Sequence, residues 1–306
     1  MSTENNNENN TQELELWERM STTEGAERAE VLDELSHIAY RRDAFNECLQ
    51  LVDTSIDIYF KLGMDSHIKE LIHAYEGKAF SLRNLDRHVE AADTFEEIAK
   101  LHQIDDDTNG YMKAKRAAAC DWYEAKEWQK CLDGHTAAKD SIDPDATPMS
   151  MGIDLLNIGM ALAKLEQHQA AIESYLSARK LFKEAKNPEY VNWADRYVTV
   201  SYAEIGNGPE AKFHAKHYFN YSKVAEELIL EGYALYYIGI AHILCEEFED
   251  AERTLTKALT LLTLEKTKDW VDIIAANHAL AKVLTALGRE EEAVTLLERV
   301  ATIEET

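Results

Sequence analysis

An all-α chain of paired helices, repeated about every 40 residues, is the fold the sequence predicts. Three observations carry it. Breakers are scarce, with 12 Gly and 4 Pro in 306 residues, and Pro144, Pro148, Pro188 and Pro209 all fall in the second half. Small residues return at Cys48, Ala91, Cys131, Ala171, Ala211, Ala251 and Ala293, with spacings of 43, 40, 40, 40, 40 and 42. Twelve residues ahead of each stands another small or hydroxyl residue: Ser36, Ala79, Ala119, Gly159, Thr199, Gly239 and Ala281. Each unit is then two helices, A and B, touching closely where the small residues meet, and 45 % hydrophobic residues suffice for a sizeable core.

Along the chain, residues 1–13 are nearly all Asn, Glu, Thr and Ser and are expected to form a disordered acidic and polar tail. Residues 14–306 are expected to form a single domain. It opens with a short capping helix bearing Leu14, Trp17 and Met20 at helical spacing. Seven hairpins follow. The segment "IDDDTNG" (104–110) sets Asp105, Asp107, Asn109 and Gly110 as in the first half of a calcium loop. Its twelfth position is Arg116, a cation where that loop needs a bidentate carboxylate, so it reads as a connector with Asp107 or Asn109 capping a helix that starts near Tyr111. His214 and His217 are three apart on a B helix and lack a third ligand, which reads as a solvated face rather than a metal site. Val294, Leu297 and Val300 on the final helix suit either an end cap or a dimer contact, and the oligomeric state stays open.

Composition excludes whole function classes. Lys and Arg total 32 against 57 Asp and Glu, a formal charge of -25 that repels nucleic acid and anionic lipid. No apolar run is long enough to cross a membrane, and the N-terminus lacks the marks of a secretion signal, so a cytoplasmic location is expected. Cys48, Cys120, Cys131 and Cys245 form no C-x-x-C pair and read as small reduced core residues. No phosphate-binding glycine loop, nucleophile elbow or zinc-protease motif occurs, so neither catalysis nor a cofactor is expected.

Gly159, Leu162, Ala171, Tyr175 and Ala178, and again Gly239, His242, Ala251, Leu255 and Ala258, resemble the spaced pattern of the tetratricopeptide family. The resemblance covers roughly residues 27–303 as about seven repeats, in a long-repeat variant: the period is about 40 rather than 34, and the usual closing proline is missing. It implies a right-handed helical-hairpin solenoid whose A helices line a concave groove, with its ends capped.

The same resemblance points to the groove positions. In hairpins two to seven these hold Arg83, Lys113, Arg116, Lys164, Arg196 and Lys282 against Glu76, Glu124 and Glu204, a positive face on an acidic chain. Trp193, Tyr197, Tyr233, Tyr236 and Tyr237 cluster there beside Arg196, with His278 and Lys282 in the next hairpin, as anchors of a recognition surface; packing of the same rings is the alternative. Arg116, Asn157 and Arg196 partly resemble the clamps by which some family members hold a peptide C-terminus. The expected function is therefore non-catalytic binding of an acidic or carboxylate-bearing protein or peptide, with a bacterial-type regulatory peptide sensor as a variant. The alternative is an assembly scaffold or adaptor held by its acidic outer surface or its ends.

Overall fold

In the computed structural model, described over residues 2–141, 146–264 and 270–304, the chain packs as two compact units, Met1–Asp145 and Ala146–Thr306. The described residues form helices and no strand. The first unit holds α1 (Ser2–Thr22), α2 (Gly25–Arg41), α3 (Phe45–Leu62), α4 (Ile68–Asn84), α5 (His88–Ile104), α6 (Thr108–Glu124) and α7 (Trp128–Asp140), with one 3-10 turn at Met64–Ser66. The second holds α8 (Pro148–Lys164), α9 (His168–Glu184), α10 (Pro188–Glu204), α11 (Gly208–Ala225), α12 (Leu228–Leu244), α13 (Phe248–Leu262), α14 (Trp270–Ala286) and α15 (Glu290–Glu304). Each even-numbered helix from α2 onward is an A helix and packs on the B helix that follows it. Seven hairpins of an all-α repeat solenoid result.

One turn closes all seven A-to-B connections. Asp43, Asp86, Lys126, Glu166, Gly206, Glu246 and Gly288 all have positive φ, each five residues before the small residue of its B helix. Past each of them the chain folds back to bond the A helix. The amides of Ala44, Arg87, Glu127, Gln167, Asn207, Glu247 and Arg289 donate to the carbonyls of Ala39, Leu82, Trp122, Leu162, Tyr202, His242 and Leu284 at 2.8 to 2.9 Å. This closing bond satisfies a carbonyl the helix end would leave unpaired. Left-handed backbone costs a residue with a side chain about 1 kcal/mol, so five of the seven turns are held by their surroundings rather than by glycine.

The small residues work as the spacing predicts. A Cβ on Gly159 would stand 2.5 Å from the Tyr175 ring, and one on Gly239 would stand 2.6 Å from Leu255. Tyr175, Phe182, Tyr218 and Leu255 are fully buried, each contributing roughly 1.5–3 kcal/mol by burial.

Helix α1 begins at Ser2. Two sequence expectations, on Leu14 and Cys120, meet a different outcome. Leu14 faces solvent; Leu16 instead packs on Val31, Leu32 and Leu35, with Trp17 and Met20 alongside. The division between Asp145 and Ala146 falls after the short α7 and before the Pro148 that starts α8. Cys48 and Cys131 are buried as expected, but Cys120 is exposed. In α15, Val300 is buried while Val294 and Leu297 are open.

A ring and arginine cluster on the second unit

The site is built on α10 and α12. Asn187 caps α10 by accepting from the Tyr190 amide at 3.2 Å, and Pro188 supplies the first-turn φ, so the register of α10 is fixed at its start. One face of α10 then carries Trp193, Arg196 and Tyr197. Tyr197 stacks on Tyr175 with centroids 5.4 Å apart and an 18° tilt, and Trp193 lies 6.4 Å from Tyr197. The Arg196 guanidinium sits 5.5 Å from the Tyr233 ring centre with Tyr237 close by, and Tyr236 leans on Tyr237 at 5.2 Å.

The rings divide between core and surface. Trp193 is 45 % exposed, Arg196, Tyr197, Tyr233, Tyr236 and Tyr237 are half-buried, and Tyr218 behind them is buried. Burial raises the Tyr197 pKa and pushes Tyr236 up to about 12. Burial alone would weaken the Arg196 charge, yet Tyr237, Tyr218 and Tyr197 more than offset it and hold that pKa above its usual value. The Tyr218 hydroxyl, also raised by burial, has no hydrogen-bond partner among the described residues. Arg196 has no carboxylate partner among the described residues. Compare Arg83 on α4, which donates to Asp121 at 2.6 and 2.9 Å and lies over Phe95, or Arg179, which donates to Asp195 at 2.8 Å.

The other sequence candidates separate from this cluster. His278 and Lys282 are exposed on α14, with no ring or ion contact to it among the described residues. Asn157 is half-buried on α8 and Lys164 is exposed at its end. Arg116, half-buried on α6, belongs to the first unit, so the Arg116, Asn157 and Arg196 clamp is not contained in one unit. The positive A-helix face needs a correction too. Arg83 is neutralised by Asp121, and α2, left out of the sequence count, adds Glu30, Asp33 and Glu34 around a cleft of about 410 Å³ with His37 and His73.

Asp107 caps α6, accepting from the Gly110 amide at 2.9 Å, which together with nearby His102 lowers its pKa; the helix starts at Thr108, three residues earlier than Tyr111. His217 is exposed as expected, but His214 is not solvated. It is buried, with Nδ1 2.6 Å from Asp195 Oδ1, because a buried carboxylate needs a second partner besides Arg179.

Sequence reasoning missed Asn192 and Asp195, and the register held the signal. Counting back seven residues from the A-helix small residue, the repeats read Ala29, Ile72, Met112, Gly152, Asn192, Gly232 and Ile274. A lone amide in an otherwise apolar or small series marks a place where the fold does not ask for polarity.

The fold and cluster define a helical-repeat protein with a ring-lined A-helix face. Residues 155–183 and 274–306 match the tetratricopeptide repeat family model, and the chain is tetratricopeptide-like. Among solved structures it is similar to a signal transduction ATPase with a tetratricopeptide repeat sensor from Pyrococcus horikoshii, at 15 % identity and TM-score 0.68 over 91 % of this chain. It spans 42 % of that protein. The quorum sensor NprR from B. thuringiensis is similar at 13 % identity and TM-score 0.61, over 96 % of this chain and 81 % of that one. A Rap protein complexed with competence and sporulation factor is similar at 13 % and 0.56, over 90 % and 76 %. No curated protein matches the sequence. Among the described residues no helix is long and apolar enough to cross a membrane.

Proposed function

We propose that this protein binds a peptide or an extended protein segment on the α10 and α12 face, using Arg196 for a carboxylate and Trp193 with the tyrosines for an apolar side chain. One observation carries the reading: Arg196 is a half-buried guanidinium among tyrosine rings with no carboxylate partner among the described residues. A charge drawn out of water in this way is stabilised when a carboxylate arrives, and the planar fork suits a bidentate contact. Exposed Trp193 and its tyrosine neighbours have the composition of a binding hot spot. Similar architectures serve as a sensor and a quorum sensor in the relatives named above, which favours a regulatory peptide as the ligand.

Selection from a random peptide library with free C-termini tests this. Enriched peptides should carry an aromatic or large aliphatic residue near an acidic side chain or the terminal carboxylate. Arg196→Gln should bind them at least about ten-fold more weakly with an unchanged melting temperature. Enrichment of basic peptides, or equal binding by Arg196→Gln, would overturn the assignment.

A further inference from the structure

The opposite face of α10 holds a second cavity, of about 480 Å³, bounded by the last turn of α9, the Lys186 to Pro188 connection, the start of α10 and the middle of α11. Its size is that of small-molecule sites. Lys183 and Lys186 stand on its rim with no carboxylate partner among the described residues, and His217 faces them from α11. Arg179 is the third cation, already committed to Asp195. Pro188, Val191 and Tyr221 give the walls apolar surface.

Asn192 also lines this cavity. It is 5 % exposed, and its Oδ1 is buried with no hydrogen-bond partner among the described residues. No hydrogen bond among them holds the amide, and leaving its buried oxygen unpaired costs about 1–3 kcal/mol. Few buried polar groups go unpaired without a ligand or water to complete them. Nothing in the hairpin requires an amide here, since the other repeats place Ala, Ile, Met or Gly at the same register.

We propose that the cavity between α9, α10 and α11 binds a small monocarboxylate with an apolar body and an amide or hydroxyl group. Lys183 and Lys186 attract the carboxylate, Pro188, Val191 and Tyr221 cover the apolar part, and Asn192 pairs with the polar group. The site is separate from the Arg196 cluster and does not depend on what that cluster binds.

N-acetylphenylalanine is the probe, its uncharged amide the control, and calorimetric or NMR titration the readout. Wild-type protein should bind the carboxylate form, with the amide at least roughly ten-fold weaker. Lys183→Ala with Lys186→Ala, both exposed changes, should weaken binding about ten-fold and flatten its salt dependence. Asn192→Leu should lose binding while melting no lower than wild type. A longer peptide ending in the same residue should bind no tighter than the probe; tighter binding would make the carboxylate a peptide end and overturn the small-molecule assignment. Equal binding of acid and amide, no binding at about 10 mM probe, or a lowered melting temperature for Asn192→Leu would each overturn the proposal.

Discussion

On α2 and α4 of the first unit, the A-helix face sets Glu30, Asp33, Glu34 and Glu70 around a cleft that holds His37 and His73, their rings 4.7 Å apart. On α10 and α12 of the second unit, the same face carries Arg196 among tyrosines, beside an exposed Trp193. Both faces rest on the same turn and the same close contact of small residues. The backbone therefore does not decide what the face attracts. A few A-helix slots do, and they vary freely because the stack is stabilised by other positions. Summing charge over all repeats hides this, which is why a single positive face was expected where two contrasting patches exist.

The sharpest way to break the comparison is to remove a cation from each unit. Asp121 is 1 % exposed and held by Arg83, with His88 Nδ1 at 3.2 Å. Arg83→Ala leaves that carboxylate short of its main partner, and urea unfolding should show a loss of about 3–5 kcal/mol. Arg196→Ala strips no carboxylate and should cost far less. If the two cost the same, Arg196 is a structural residue and the contrast collapses.

Next in size is the acidic cleft. Burial pushes Asp33 up to about 6, against the pull of hydrogen bonds from Ser55 at 2.5 Å and Tyr59 at 3.1 Å. A carboxyl whose folded pKa is raised binds its proton more tightly when folded. Its contribution to stability is thus greatest below pH 4, falls as pH rises towards 6, and stays low above that. Asp33→Asn should gain up to about 3 kcal/mol relative to wild type between pH 4 and pH 7, as the difference between two unfolding series. A difference that does not change with pH would mean that the cleft is well solvated.

The smallest expected effect probes what the units share. Glu166 sits at φ 60° in one of the seven turns. Glu166→Gly should raise stability by roughly 1 kcal/mol, since glycine takes that conformation without strain. A loss instead would show that the Glu166 side chain contributes to the turn.

Much of the fold was legible because a repeat writes the same physics several times. Seven small pairs at a constant spacing outvote any one ambiguous residue, such as Thr199 or Cys131. The turns were less legible, since Asp43, Lys126 and Glu246 carry positive φ where sequence reasoning looks for glycine. Buried polar pairs were not legible at all. Asp121 and Asp195 look like solvated charges when taken one at a time, and only the fold brings Arg83 or Arg179 against them. His214 failed for the same reason, its partner being 19 residues away. The Arg196 cluster was legible because its members share one face of one or two helices, whereas Arg116, His278 and Lys282 were added from more distant repeats.

On the α10 and α12 face, Arg196 is proposed to await a carboxylate from outside the chain. Fluorescence anisotropy of the tightest library peptide, compared with the same peptide carrying amides in place of its carboxylates, measures this directly on wild type and Arg196→Gln. The account predicts that wild type prefers the carboxylate form by at least about ten-fold and that Arg196→Gln does not distinguish the two. Equal binding of both forms by wild type, or a preference that survives in Arg196→Gln, would contradict it.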